Sequence, residues 1–412
     1  MVGVLNKKHM SKGLRLIDFY QLIRPTGPVF AFVVPWTIVL CGQQMALCRI
    51  IIPTYSSFYL IVIGNLLTSI IGAFCLQAWI GQSSSFNLQA GEKYPLSGHF
   101  KRVTFFFIFF SLSCQLFQFV YFKGFPLLWL LQGNNKSYIE YGISSLNGLL
   151  NAIYLLSTTA FYLIYLNEKS WKKFFFLMLL FSLPFLLISR QLFISLFLQI
   201  ACCSLIYDPK KIRRFIFIAL SILVAFVIIG NYRTGLNNLV LIMDPDPIVP
   251  PWTYSLLWIY AYIVTPFNNV NAAIDFIQPC GVPNYELKAL LPSIFRDLLD
   301  FNVKDSGYTL VHENMNVSTF YLEPLLDFGR VYAFCFMLCF QVIFFLAFRK
   351  AIRTKAPIHI IEYAVLYMIM VLSIFNNLFL FLPVLAQLAL INFAKLRFFQ
   401  RSGLWALAWG SR

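Results

Sequence analysis

Arg190, Arg233 and Arg296 are three arginines in mostly apolar or aromatic surroundings. A guanidinium keeps its charge in a low-dielectric setting and can hold a phosphate through two parallel hydrogen bonds. As a set they suit a diphosphate, because two phosphates need holding and charge builds on a diphosphate that leaves in a transfer reaction. Taken singly, each is equally well a lipid-headgroup contact or a loop salt bridge. His312-Glu313 is a histidine beside a carboxylate, and either could take a proton from an attacking hydroxyl. Its bland counterpart is a surface loop pair. Asp244-Pro245-Asp246 places two carboxylates two residues apart, on one side of an extended segment, where Mg²⁺ or Mn²⁺ could sit with a diphosphate. Isolated matches of that kind are common, so the favoured site has no metal and no cofactor. The nine cysteines contain no CxxC pair and no His/Cys metal spacing, and read as small apolar residues.

These residues need a scaffold, and composition says which kind. The chain has 412 residues, 59% of them apolar and only 12% charged. A soluble domain is apolar in about half of its residues, so the expectation is an all-α polytopic membrane protein in a lipid bilayer. A net charge of +16 would suggest nucleic acid in a soluble protein. Here it is a topological signal, because Lys and Arg collect in cytoplasmic loops, and no nucleic-acid partner is expected. The basic start leads into a full-length apolar run without a cleavage site, so no signal peptide is expected.

Ten crossings are expected, at about 28–48, 57–80, 103–121, 145–166, 174–188, 191–206, 215–231, 325–348, 358–375 and 378–394. This scheme puts 23 of the 32 basic residues on one face, the cytoplasmic one, with both termini. Residues 174–206 would reach about 50 Å as one helix at 1.5 Å per residue, too long for a core of roughly 30 Å. Both flanks are basic, so the crossings here are even in number. A hairpin satisfies this and puts Arg190 at its outward apex. An Arg there is costly unless it meets an aqueous cavity or an anion.

One domain, 1–412, is the simplest organisation, with a large outward loop at 231–324. That window holds 9 of the 16 acidic residues. Within it, Trp252 to Phe267 is too short to span and reads as an interfacial or half-embedded segment. Leu287, Leu290, Leu291, Ile294, Phe295, Leu298 and Leu299 form a helical stripe, which predicts an amphipathic surface helix started or kinked by Pro292, with Arg296 on its polar face.

The hairpin with Ile188-Ser189-Arg190 at its turn, the crossing that ends in Gly230-Asn231-Tyr232-Arg233, and the large loop that follows resemble the bacterial O-antigen and oligosaccharide repeat-unit polymerases of the Wzy type. Tyr262-Ile-Val-Thr-Pro266, Leu291-Pro292, Asn316-Val-Ser-Thr319-Phe320 and Asp327-Phe328-Gly329 add to the likeness, whereas Arg330 stands where such proteins more often carry a small or apolar residue. The resemblance covers most of the chain by topology and about 180–330 by motif. It implies an inner-membrane glycosyltransferase with a GT-C-like helical fold, working at the periplasmic face on undecaprenyl-diphosphate-linked oligosaccharides without a metal. Arg190 and Arg233, and then Arg296, would hold the diphosphate. His312 or Glu313 would activate or orient the acceptor hydroxyl. Trp252, Tyr254 and Tyr308 could stack on sugars, and Asn316 joins them as a substrate contact. A chain-length regulator protein is a further candidate partner. The O-antigen ligases, which use an Arg and a His in the corresponding loop, are the alternative within chemistry. A flippase or transporter of the same lipids is the alternative outside it, although nearly charge-free helix interiors argue against paired, charge-bearing transport repeats.

Overall fold

The computed structural model describes residues 22–52, 56–79, 96–133, 141–143, 145–299 and 306–401. It is all-helical, and no β-strand forms among the described residues. Seven helical segments are long and apolar enough to cross a membrane: Pro28–Met45, Ser57–Cys75, Gly98–Leu131, Leu146–Asn167, Arg190–Tyr207, Arg330–Thr354 and Pro357–Ile374. The chain is therefore an α-helical polytopic membrane protein. The other three expected crossings fall on Trp171–Leu186, Ile212–Thr234 and Leu382–Arg401, all of which are helical.

In chain order the helices are α1 (Pro28–Met45), α2 (Ser57–Trp79), α3 (Gly98–Tyr121), α4 (Pro126–Leu131), α5 (Leu146–Asn167), α6 (Trp171–Leu186), α7 (Arg190–Tyr207), α8 (Ile212–Thr234), α9 (Leu236–Met243), α10 (Leu257–Ala273), α11 (Asn284–Leu290), α12 (Ser293–Leu298), α13 (Leu322–Phe328), α14 (Arg330–Thr354), α15 (Pro357–Val371) and α16 (Leu382–Arg401). Helices α5 and α15 are central, with buried residues along most of their length. The rim helices α3 and α8 expose Phe106, Phe109, Phe117, Phe217, Leu220 and Val224. An apolar rim around a packed centre is what a lipid solvent favours, since apolar side chains lose nothing by facing hydrocarbon.

The expected hairpin is present. Helix α6 ends in a Schellman motif: the N–H of Ser189 donates to the carbonyl of Pro184 and that of Ile188 to Phe185, each at 3.0 Å. The left-handed position, usually glycine, is here Ile188 at φ +50°. Ser189 then caps α7, accepting from the Leu192 N–H, so Arg190 becomes the first residue of the returning helix. Pro184 cannot donate to the carbonyl of Leu180. The Tyr154 hydroxyl on α5 donates to that carbonyl instead, which satisfies a backbone group where no water competes.

Two expectations need correction. Residues 252–267, expected as an interfacial or half-embedded segment, mostly belong to the longer helix α10, which packs along α1 and is buried over its C-terminal half. Gly42 on α1 permits this approach, because a Cβ there would lie 2.7 Å from Val264 Cγ2. Phe267 lies in an aromatic cluster with Trp36, Phe58, Tyr59 and Tyr321. Residues 287–299 do not make one helix. Leu291 is extended, with φ −76° and ψ 131°, as a residue before proline tends to be; α11 ends before it and α12 starts after Pro292. The apolar members Ile294, Phe295, Leu298 and Leu299 are nevertheless exposed, so the segment keeps an outward apolar surface.

Candidate functional site

The loops after α1, α8, α10 and α15 meet at one end of the bundle. Three asparagines on α10 bind them together. Asn268 accepts from Gln43 and from the Ile52 N–H and donates to the Ile50 carbonyl, all at 3.0 Å. Asn269 donates to the carbonyls of Met315 and Val317, at 2.6 and 2.9 Å, and accepts from the Val311 N–H. Asn271 accepts from Ser56. All three are buried. Their amides supply the donors and acceptors that irregular loop backbone lacks, and this fixes the segment that carries His312.

Arg190 lies where α7, α8 and α10 converge. Its guanidinium donates to the Tyr262 hydroxyl and lies 5.5 Å from the Phe226 ring centroid and 5.7 Å from that of Tyr262. Aromatic faces attract a cation without neutralising it. No carboxylate among the described residues pairs with it. At the first position of α7 the guanidinium adds its charge to the positive end of the helix dipole, which favours an anion. Beside it, Gly230 leaves room for the Trp258 indole, 2.9 Å from where a Cβ would lie. Trp258 Nε1 donates to Asn231 Oδ1 at 2.8 Å and Asn231 Nδ2 donates to Ser255 Oγ at 3.0 Å. Gly230 and Asn231 thus lock the end of α8 to α10. Arg233 is two residues further on, in the last turn of α8; its side chain is outside the described residues.

The remaining expected residues scatter. Arg296 on α12 has a buried Nε without a partner, but α12 makes no extensive contact with α7, α8 or α10. His312 is half-buried, and its Nδ1 accepts the Asn314 N–H at 3.2 Å. In the neutral ring the proton then sits on Nε2, which makes that atom a donor to an oxygen rather than a proton acceptor. Glu313 and Asn316 are exposed, and Trp252 is 82% exposed at the surface. Tyr254 packs against the small apolar cluster that includes Leu239, Met243 and Leu257. Tyr308 is half-buried with its hydroxyl enclosed. Along α10, Tyr262 and Asn269 are seven residues apart, so the Arg190 contact and the anchor of the His312 segment lie on one helix face, about 10 Å apart at 1.5 Å per residue.

The Asp244–Asp246 pair is committed elsewhere. Asp244 is left-handed at φ +44°, its carbonyl accepts the Arg49 N–H, and its carboxylate lies 3.6 Å from the Arg49 guanidinium. Asp246 turns its carboxylate to the Ile248 N–H. Among the described residues no group of three or more His, Cys, Asp or Glu side chains could hold a metal ion. Arg330 pairs with Asp275 at 2.7 Å and reaches the Ile274 carbonyl, tying the start of α14 to the end of α10.

An acidic group, of which the motifs caught only Asp327, lies close to Tyr308 at the start of the His312 segment. Asp327 on α13 accepts from the backbone N–H groups of Tyr285 and Glu286, both at 2.8 Å, and so caps the short helix α11. Glu286 is buried, and the Tyr332 hydroxyl donates to its Oε2 at 3.3 Å. Glu323 is pushed up to about 7, chiefly by burial, with the nearby Glu286 and Asp327 adding repulsion. Burial and Asp327 also raise Glu286. A carboxyl that titrates near neutrality can accept or donate a proton under physiological conditions. The sequence signal was faint: one Glu before Pro324, at the threshold of an apolar helix.

Comparison with protein-family models, curated proteins and solved structures yields no significant match. The functional reading therefore rests on two groups at one end of the bundle, a guanidinium between aromatic rings and a buried carboxyl.

Proposed function

We propose that the chain is a glycosyltransferase of the bacterial inner membrane, GT-C-like in fold, that joins undecaprenyl-diphosphate-linked oligosaccharide repeat units into a surface polysaccharide at the periplasmic face. The observation that carries this is Arg190: a guanidinium held between two aromatic rings at a helix N-terminus, with no carboxylate partner among the described residues. Arg190, with Arg233 at the adjoining end of α8, would bind the donor diphosphate. An acceptor hydroxyl attacks the anomeric carbon of the donor sugar and the new C–O bond forms. The C–O bond to the diphosphate breaks, its electron pair leaves with the diphosphate, and the guanidiniums offset that charge. The hydroxyl proton goes to a nearby base. His312 Nε2–H suits a hydrogen bond to a phosphate or sugar oxygen.

In the native host, Arg190→Ala or Arg233→Ala is expected to leave single repeat units capped onto core while longer chains vanish. Loss of all units, single ones included, would instead indicate a ligase or a flippase. Polymer of wild-type length would remove the substituted arginine from the site.

A further inference from the structure

Buried polar atoms without a well-formed hydrogen bond are spread along the bundle, and five of them lie together at this end. Glu323 Oε2, both amide atoms of Asn377, the Tyr308 hydroxyl and the Ser318 hydroxyl are all shut off from solvent without a hydrogen-bond partner. Asn377 is only 3% exposed. Their nearest polar company is one another, in loose contacts that fall short of a well-formed hydrogen bond: Asn377 approaches the Glu323 carboxylate and lowers its pKa, and Ser318 does the same for Tyr308, which also feels the charge of Glu323. They come from three stretches, the 306–320 segment, α13 and the break between α15 and α16. An unmade buried hydrogen bond costs about 1–3 kcal/mol, and native proteins leave few of them.

The chemistry of the group selects among ligands. Glu286 and Asp327 lie beside Glu323 and repel an anion, so a phosphate belongs with Arg190 instead. Asp327 spends both oxygens on backbone N–H groups, which leaves too few free carboxylate oxygens for a hard cation. An apolar chain would leave every orphan unpaired. Adjacent sugar hydroxyls, each both donor and acceptor, match the mixture of carboxyl, amide and hydroxyls.

We propose that Glu323, Asn377, Tyr308 and Ser318 form the subsite for the acceptor sugar, with Glu323 taking the proton of the attacking hydroxyl. This rests on the glycosyltransferase function proposed above. The balance is simple: the hydroxyl proton passes to Glu323, its oxygen bonds to the anomeric carbon, and the diphosphate departs with the electron pair. Titratable neighbours facing Glu323 are Glu286 on α11, Asp327 on α13 and Tyr308 on the covering segment.

The test uses the full chain in nanodiscs, with undecaprenyl-diphosphate-linked repeat units extracted from a host that lacks the chain. Glu323→Gln is expected to lower chain extension by about 100-fold or more while donor-lipid retention, read by native mass spectrometry, stays unchanged. Arg190→Ala should lose that retention. Extension by the wild type should fall as pH drops through about 7. Wild-type extension by Glu323→Gln would overturn the subsite and leave the polymerase standing; no extension by the wild type would remove both. A measurement that needs no variant guards against misfolding. Infrared difference spectra of the wild type should show a carboxyl band that shifts when the repeat-unit oligosaccharide is added. An unshifted band would assign these four groups to ordered water only and overturn the subsite.

Discussion

Glu168 and Glu323 stand at opposite ends of the bundle and show how partners decide what a carboxylate is for. Glu168, just past α5, binds Lys101 of α3 and Lys173 of α6. Hydrogen bonds from Lys101 and Lys173 hold it down to about 2, so it stays charged and staples three helices together. Glu323 has an enclosed oxygen, two acidic neighbours and no cation among the described residues, and it sits at about 7. The asparagines repeat the contrast. Asn268, Asn269 and Asn271 spend their amides on loop backbone, whereas Asn377 spends neither atom. Satisfied polar groups build the end of the bundle; unsatisfied ones mark where something else can bind.

Substitutions can break or sharpen that contrast. The largest effect is expected at the guanidinium: Arg190→Lys keeps a charge but loses the fork, and chain extension should fall by about 10²–10³-fold, as when one transition-state donor is removed. Next is Glu323→Gln as a stability variant. The folded pKa of Glu323 is raised, so its proton stabilises the fold at low pH and that contribution is lost as pH rises through about 7. The wild type should therefore lose on the order of a few kcal/mol between roughly pH 4.5 and pH 7. The Gln variant should lack that slope in thermal melts and be the more stable protein at neutral pH. Tyr154→Phe should cost about 1–3 kcal/mol by orphaning the Leu180 carbonyl, read as a lower melting temperature. Glu168→Gln should cost no more than about 1 kcal/mol and matter less at high salt, because the cluster is partly exposed. Ile188→Gly should be nearly neutral: relief of a left-handed β-branched residue, roughly 1–2 kcal/mol, is offset by the greater chain entropy of glycine.

The hairpin was legible in the sequence because length and charge parity left one solution, and Arg190 followed from it. The all-helical membrane architecture followed from composition. Helix α10 was not legible, since an aromatic run ending in Asn268, Asn269 and Asn271 has the pattern of an interface. Its burial depends on loop carbonyls at 50, 315 and 317 that local periodicity does not reveal. The Asp-Pro-Asp segment is a weak metal match in the sequence, and in the structure Asp244 lies beside Arg49 from a distant loop. Glu323 was missed for the same reason in reverse: nothing near it announces that residue 377 will lie alongside.

Binding of undecaprenyl diphosphate to the protein in nanodiscs, wild type against Arg190→Ala, tests the central claim most directly. The account predicts that the diphosphate binds the wild type about tenfold or more tightly than the variant, a difference of about 1.4 kcal/mol or greater. Equal affinity for the two proteins would contradict it.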